Sequence, residues 1–292
     1  MRLGNVYWNG AVRLARPEGT DGVAVLPPVI GGKQADSTDV VLSRWSPELA
    51  GALLEAAPEA IVKESTVRFR PAVLRPGKIL CVGLNYRRHI QEMGHQMPEV
   101  PQLFSKFLNA LASPGDDIPI PPETSEVDYE GELAVVIGAG GRRLSRESAL
   151  SRVFGYTTAN DVSARDLQHR TSQWLLGKSL DRFMPIGPWI VTGDEARDPA
   201  AFHLTLSVNG ERRQDTPTAD MIFSVPDILS YASQYWRLEP GDIILTGTPS
   251  GVINGMPEAE RRWLQPGDVV VVEIDGVSRL TNRFVADETA AR

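Results

Sequence analysis

The chain predicts a β-rich α+β protein, and three observations carry that prediction. Turn-formers are abundant: 26 Gly and 22 Pro stand among 292 residues, above the roughly 12% of average usage, and no collagen-like period accompanies them. One turn recurs, since Pro76-Gly77-Lys78, Pro240-Gly241-Asp242 and Pro266-Gly267-Asp268 each precede a short run rich in β-branched residues. The helical patterns do not alternate strictly with the strands, which argues against a doubly wound parallel sheet. The three Pro-Gly turns fall at no fixed spacing, so they are shared turn chemistry and not a repeat architecture.

Taken in order, residues 5–8 and 11–14 alternate apolar and polar and predict strands. Ser46-Pro47-Glu48 is a helix start, and the Ala/Leu/Glu pattern predicts a helix over 46–59. Pro71 and Arg75-Pro76-Gly77 then punctuate the chain. Residues 1–72 are therefore expected to form a small N-terminal α/β subdomain, with 73–292 as the main domain. Further strands are expected at 79–82, 133–137, 155–159, 189–192, 204–209, 243–245 and 269–272. Helices are expected at 85–93, 145–153, 162–169 and 225–234.

Composition narrows the function. The 30 Lys and Arg against 37 Asp and Glu leave a formal charge of −7, which disfavours a nucleic-acid partner, because a phosphate backbone needs a basic face. The one cysteine, Cys81, excludes an intrachain disulfide and a Cys-rich zinc or iron–sulfur centre. Its place in Ile79-Leu80-Cys81-Val82-Gly83 predicts a buried thiol. No basic stretch leads into an apolar one at the start of the sequence, and no run approaches the ~18 apolar residues of a membrane span. A cytoplasmic protein without a membrane partner is the expectation.

Three segments hold side chains that chemistry can use. In Asp128-Tyr129-Glu130-Gly131-Glu132-Leu133, Glu130 and Glu132 are two apart at the start of an apolar strand and share a face. Two buried carboxylates on one face repel, and a hard divalent cation relieves the conflict. The spacing alone fits a solvated pair at an exposed strand end at least as well. In Asn160-Asp161-Val162-Ser163-Ala164-Arg165, continued to Gln168, the spacing of Asp161, Arg165 and Gln168 puts them on one helix face if the helix starts at Asp161. The commoner use of such residues is an Asp cap with an exposed Arg. Lys178 follows, between a Gly and a Ser. In Gly83-Leu84-Asn85-Tyr86-Arg87-Arg88-His89-Ile90-Gln91-Glu92, His89 and Glu92 are one helical turn apart, as a general base and its orienting carboxylate would be. Gly83 and Gly94 bracket that helix as hinges of a mobile lid would. A solvent-facing His–Glu pair has the same spacing. Other motifs fail: Gly138-Ala139-Gly140 lacks the third glycine of a dinucleotide loop, no P-loop or G-x-S-x-G elbow occurs, and the four histidines have no zincin spacing.

Together and in this order, the segments resemble the fumarylacetoacetate hydrolase family in its short bacterial acylpyruvate hydrolase-like form. The resemblance spans about residues 75 to 285. It includes Gly83-Leu84-Asn85-Tyr86, Phe104-Ser105-Lys106, Val127 to Glu132, Asn160 to Asp166, Gly177-Lys178-Ser179 and Thr246-Gly247-Thr248-Pro249-Ser250-Gly251. It implies a mixed β-roll or β-sandwich core in a homodimer. It implies Mg²⁺ or Mn²⁺, with Ca²⁺ as a third option, held by Glu130, Glu132 and Asp161. It implies a lid dyad of His89 and Glu92, a catalytic Lys178, and substrate contacts from Arg165, Gln168, Lys106 and Thr248, the last offering a hydroxyl to an oxyanion. The implied reaction is hydrolysis of a C–C bond in an acylpyruvate, a small 2-oxo acid, through a stabilised pyruvate enolate. The same site would serve oxaloacetate decarboxylation, isomerisation of a muconate-type diacid or dehydration of a sugar acid. A non-catalytic binding member is the contrasting option. The N-terminal part is shorter than in the fumarylacetoacetate hydrolases proper, and the charged segment 254–265 has no counterpart role.

Overall fold

The computed structural model describes residues 1–196 and 198–287. Two sheets dominate. The larger has eleven strands. From one edge it runs through Ala60–Lys63, Gly22–Val25, Ala11–Glu18, Arg2–Trp8, Trp189–Thr192, Val153–Asn160, Gly131–Ile137, Ile243–Leu245, Ile79–Gly83 and Gln102–Ser105. The strand Arg68–Arg70 pairs beside Arg2–Trp8. The smaller sheet has five strands, in the order Asp117–Ile120, Ser278–Ala286, Val269–Ile274, His203–Val208 and Glu211–Pro217. Both are mixed: Ile243–Leu245 runs parallel to Ile79–Gly83, and Asp117–Ile120 parallel to Ser278–Ala286, among otherwise antiparallel pairs. The expected β-rich core is therefore present. The N-terminal strands continue the large sheet, because Arg2–Trp8 pairs antiparallel with Trp189–Thr192.

All seven residues of Gly131–Ile137 are buried, as their nearly unbroken apolar run requires of a central strand covered on both faces. The helix expected over 46–59 ends at Glu55, since Pro58 biases the residue before it away from helix. The helix expected over 145–153 is a single turn, Arg146–Ala149, followed by a 3₁₀ turn, Leu150–Arg152. Val153 instead pairs opposite Ile137 in the large sheet. The helix expected over 162–169 shrinks to Arg165–Gln168, because Ser163–Ala164 pairs with Val127–Asp128. Only the Val225–Tyr235 helix exceeds its expected length, closed at its start by a reciprocal Ser224/Asp227 capping box. Among the described residues no helix is long and apolar enough to cross a membrane.

Candidate metal centre and its cleft

Sheet register builds the site. Gly131 pairs opposite Asn160, so the start of one strand meets the end of its neighbour. Glu130 and Asp161 thereby become adjacent, and the Asp161 N–H donates to the Glu130 carbonyl at 2.8 Å. The Asn160 side chain accepts from the Glu130 N–H at 2.9 Å. Glu132 projects from the second position of its strand. One carboxylate oxygen from each of Glu130, Glu132 and Asp161 lies within 4.8 Å of the others, and all three residues are buried. The expected helix face did not gather these groups. Asp161 lies outside the helix, and Arg165 reaches back from its first residue.

Three cations surround the triad. Lys178 Nζ donates to Glu130 Oε2 at 2.7 Å and Asp161 Oδ2 at 2.8 Å, and it lies 5.2 Å from the centre of the Phe104 ring. Lys106 Nζ donates to Asp161 and to the Val162 carbonyl. Arg165 binds Asp128 through Nε at 2.9 Å, Glu130 through Nη2 at 2.7 Å and Gln168 through Nη1 at 2.9 Å. Burial alone would raise the Glu130 pKa, but Lys178 and Arg165 outweigh it and bring it down to about 2. Burial likewise opposes the charge on Lys178, yet Asp161 and Glu130 hold its pKa above the ordinary value. Glu132 is the exception. Burial, Asp161 and Glu130 push its carboxyl well above the usual range, and the Gly247 N–H at 2.7 Å relieves it only in part. Four buried acids, counting Asp128, against three cations leave one excess negative charge. A hard dication fits this all-oxygen donor set and removes the repulsion that Glu132 bears.

Beside the triad is a cavity of about 60 Å³. Glu130, Arg165, Gln168, Lys178 and Thr248 line its inner end, and Val82, Leu84, Phe104 and Trp174 form an apolar wall. His89 lines it too. His89 Nδ1 lies 3.1 Å from Glu92 Oε2, as the one-turn spacing on the helix Arg87–Met93 predicts. Glu92 is fixed in turn by the Gly251 N–H at 3.0 Å. A Cβ on Gly255 would lie 2.5 Å from the Glu92 carboxyl carbon, so a side chain there would push the carboxylate aside.

Four sequence expectations change in place or role. Lys106 does not line this cavity but braces Asp161 from behind. The Thr248 hydroxyl donates to the Gly131 carbonyl at 3.0 Å and accepts from Gln214 at 2.9 Å, so its proton is committed and not offered to an oxyanion. Gly83 has a packing role: a Cβ there would lie 2.6 Å from the Trp174 ring. Gly94 closes the short helix in the left-handed conformation. Segment 254–265 gains a place. Asp128 accepts the Ile253 and Asn254 N–H groups at 2.9 and 3.0 Å, Asn254 lines the cavity, and Arg261 ties the segment together by donating to the Met256 and Asn254 carbonyls.

Asp128 and Gln214 have roles that the sequence reading missed. Asp128 joins Arg165 to the loop at 253–254. Gln214 accepts the Gly131 N–H at 3.0 Å while donating to Thr248 and to the Pro249 carbonyl. Asp128 lay in a quoted motif, but nothing local distinguished it from its acidic neighbours.

A buried three-carboxylate centre that could hold a metal ion, braced by lysines and arginine, thus lies on a mixed-sheet core and is faced by a His–Glu pair. The chain belongs to the fumarylacetoacetate hydrolase family: residues 78–285 match the family model described as fumarylacetoacetate (FAA) hydrolase C-terminal. It is 44% identical over 231 residues to the mitochondrial oxaloacetate tautomerase Fahd2a of Rattus norvegicus, covering 79% of this chain and 73% of that protein. It is 38% identical to a fumarylacetoacetate hydrolase from psychrophilic Exiguobacterium antarcticum, with a TM-score of 0.86 over 98% of this chain and 100% of that one. A 2-hydroxyhepta-2,4-diene-1,7-dioate isomerase from Mycobacterium marinum is 32% identical, with a TM-score of 0.78 over 99% of both chains. Members of this family are enzymes, and these relatives include a hydrolase, an isomerase and a tautomerase.

Proposed function

We propose that this protein interconverts the keto and enol forms of a short 2-oxo diacid of the oxaloacetate type, with a divalent cation at Glu130, Glu132 and Asp161. The observation that carries this reading is the small cavity, about 60 Å³, placed between the triad and an oriented imidazole. Ligand sites for larger molecules measure roughly 300–1,000 Å³, so the space suits a compact acid better than a long diketo acid. The relative at 44% identity, named as an oxaloacetate tautomerase, supports the same order of preference.

A bound Mg²⁺ or Mn²⁺ would supply Lewis-acid stabilisation of the enolate of a 2-oxo acid. The chain's own groups do the rest. With Nδ1–H donated to Glu92, His89 Nε2 carries a lone pair and acts as base toward the C3 proton. The C–H electron pair becomes the new C=C bond, and the 2-oxo oxygen takes up a proton to complete the enol. Lys178 holds Glu130 and Asp161 in place and keeps one N–H free of any described protein acceptor. Gln168 accepts from Arg165, and its own amide N–H groups, directed to no described residue, are available to a substrate carboxylate.

The test is the rate of oxaloacetate enolisation with Mg²⁺, read by enol absorbance and by C3 deuterium exchange. A rate no faster than the protein-free reaction overturns the reading. A second reading, hydrolysis of an acylpyruvate, is favoured by the same His89–Glu92 pair, which would activate water, and by the Exiguobacterium hydrolase at 38% identity. Loss of diketo absorbance from acetylpyruvate or fumarylpyruvate, with pyruvate released, distinguishes it.

A further inference from the structure

A diacid has a second carboxylate, and the donors left at the inner end of the cleft, one Lys178 N–H and the Gln168 amide, serve the carboxylate next to the 2-oxo group. Of the five basic side chains lining the cavity, His89 is engaged by Glu92, and Arg165 and Lys178 are bonded to protein carboxylates. Arg165 has four of its five N–H groups placed on Asp128, Glu130 and Gln168. The two that remain are His95 and His169. Both line the cavity and both are exposed at its mouth. Neither imidazole makes a hydrogen bond to any described residue.

The pair comes from two elements. His95 follows Gly94 directly after the helix that carries His89 and Glu92. His169 ends the helix Arg165–Gln168. We propose that His95 and His169 form a second carboxylate subsite, which selects dicarboxylic over monocarboxylic 2-oxo acids. A neutral imidazole donates one N–H and a protonated one donates two, so the pair can hold a carboxylate in either state. The surroundings favour an anion: burial, Arg165, Lys178 and His95 together hold the His169 pKa below its ordinary value. Of these causes burial is the largest and disfavours charge of either sign, whereas Arg165 and Lys178 are the part that draws a negative ligand. Phe104 and Trp174, with ring centres 5.3 Å apart, give the cavity an aromatic wall that carries no charge.

The inference rests on the 2-oxo acid reading above and can fail apart from it. The test compares C3 deuterium exchange of oxaloacetate and of 2-oxobutanoate, each with Mg²⁺, in the wild-type protein and in a His95→Ala/His169→Ala double variant, which removes both donors. The expected result is a rise of about ten- to a hundredfold in KM for oxaloacetate, the size of one or two lost hydrogen bonds to a charged group. KM for 2-oxobutanoate and both kcat values stay within about twofold, and the melting temperature is unchanged because both side chains are exposed. His169→Arg, which keeps a donor, should retain the preference for the diacid. Parallel changes in KM for both acids, or no change in either, overturn the subsite while the reading stands. No exchange of either acid by the wild-type protein overturns the reading, and the subsite with it.

Discussion

The two sides of the cleft are built on opposite terms. On the triad side, Glu130, Asp161, Arg165 and Lys178 are buried and bonded to one another or to backbone. On the facing side, a seven-residue helix carries His89 and Glu92, and the Glu92 carboxylate is held by His89 and by the Gly251 N–H. Like charges packed in a low dielectric need dense bonding, which makes the first side rigid and costly to disturb. The second side needs only to aim one imidazole. Changes to the facing helix should therefore cost turnover alone, whereas changes around the triad should also cost stability or metal binding.

Four substitutions sharpen or break this contrast. His89→Gln should lower kcat by about 10²–10⁴, the usual contribution of a general base, with a melting temperature close to that of the wild type; a large thermal shift would mean that the facing helix is structural. Asp128→Ala should cost about 3–5 kcal/mol in denaturant unfolding, because it takes away one of the two buried carboxylates paired with Arg165 and leaves the buried Ile253 N–H without its acceptor, and a value under about 1 kcal/mol would erase the difference between the sides. Mg²⁺ at a hundredfold excess over its dissociation constant should stabilise the wild type by about 2.7 kcal/mol. Glu132→Gln should abolish that gain while raising the melting temperature of the metal-free protein, since a buried like charge is removed and the amide still accepts from Gly247. An undiminished Mg²⁺ effect in this variant would remove Glu132 from the metal site. Gly255→Ala, which displaces the Glu92 carboxylate, should cost about ten- to a hundredfold in kcat and leave Mg²⁺ stabilisation intact.

The sequence was most informative where one local rule governed. The apolar run at 133–137 read as a strand, and the spacing of His89 and Glu92 put them within reach of each other. Glu130, Glu132 and Asp161 were legible as members of an ordered set of motifs, although their meeting depends on the Gly131–Asn160 register and not on a helix face. Side chains acting across long stretches of chain were harder to read. Asp128 meets a loop 125 residues away, and Gln214 lies on a polar strand, Glu211–Pro217, whose pattern resembles an exposed loop. Lys106 and Thr248 were found by motif, but their bonding partners, which decide what they can do, are set by packing.

The hydrogen bond from Gly247 to Glu132 also bears on how the chain is made. During synthesis Lys106 and the three carboxylates precede Lys178, and the Gly247, Gly251 and Gly255 turns follow later. Until then the acids have no enclosing wall, and water must screen them. A nascent chain paused before residue 247 would thus lack the Gly247 N–H that braces Glu132, and the triad would stand open on that side.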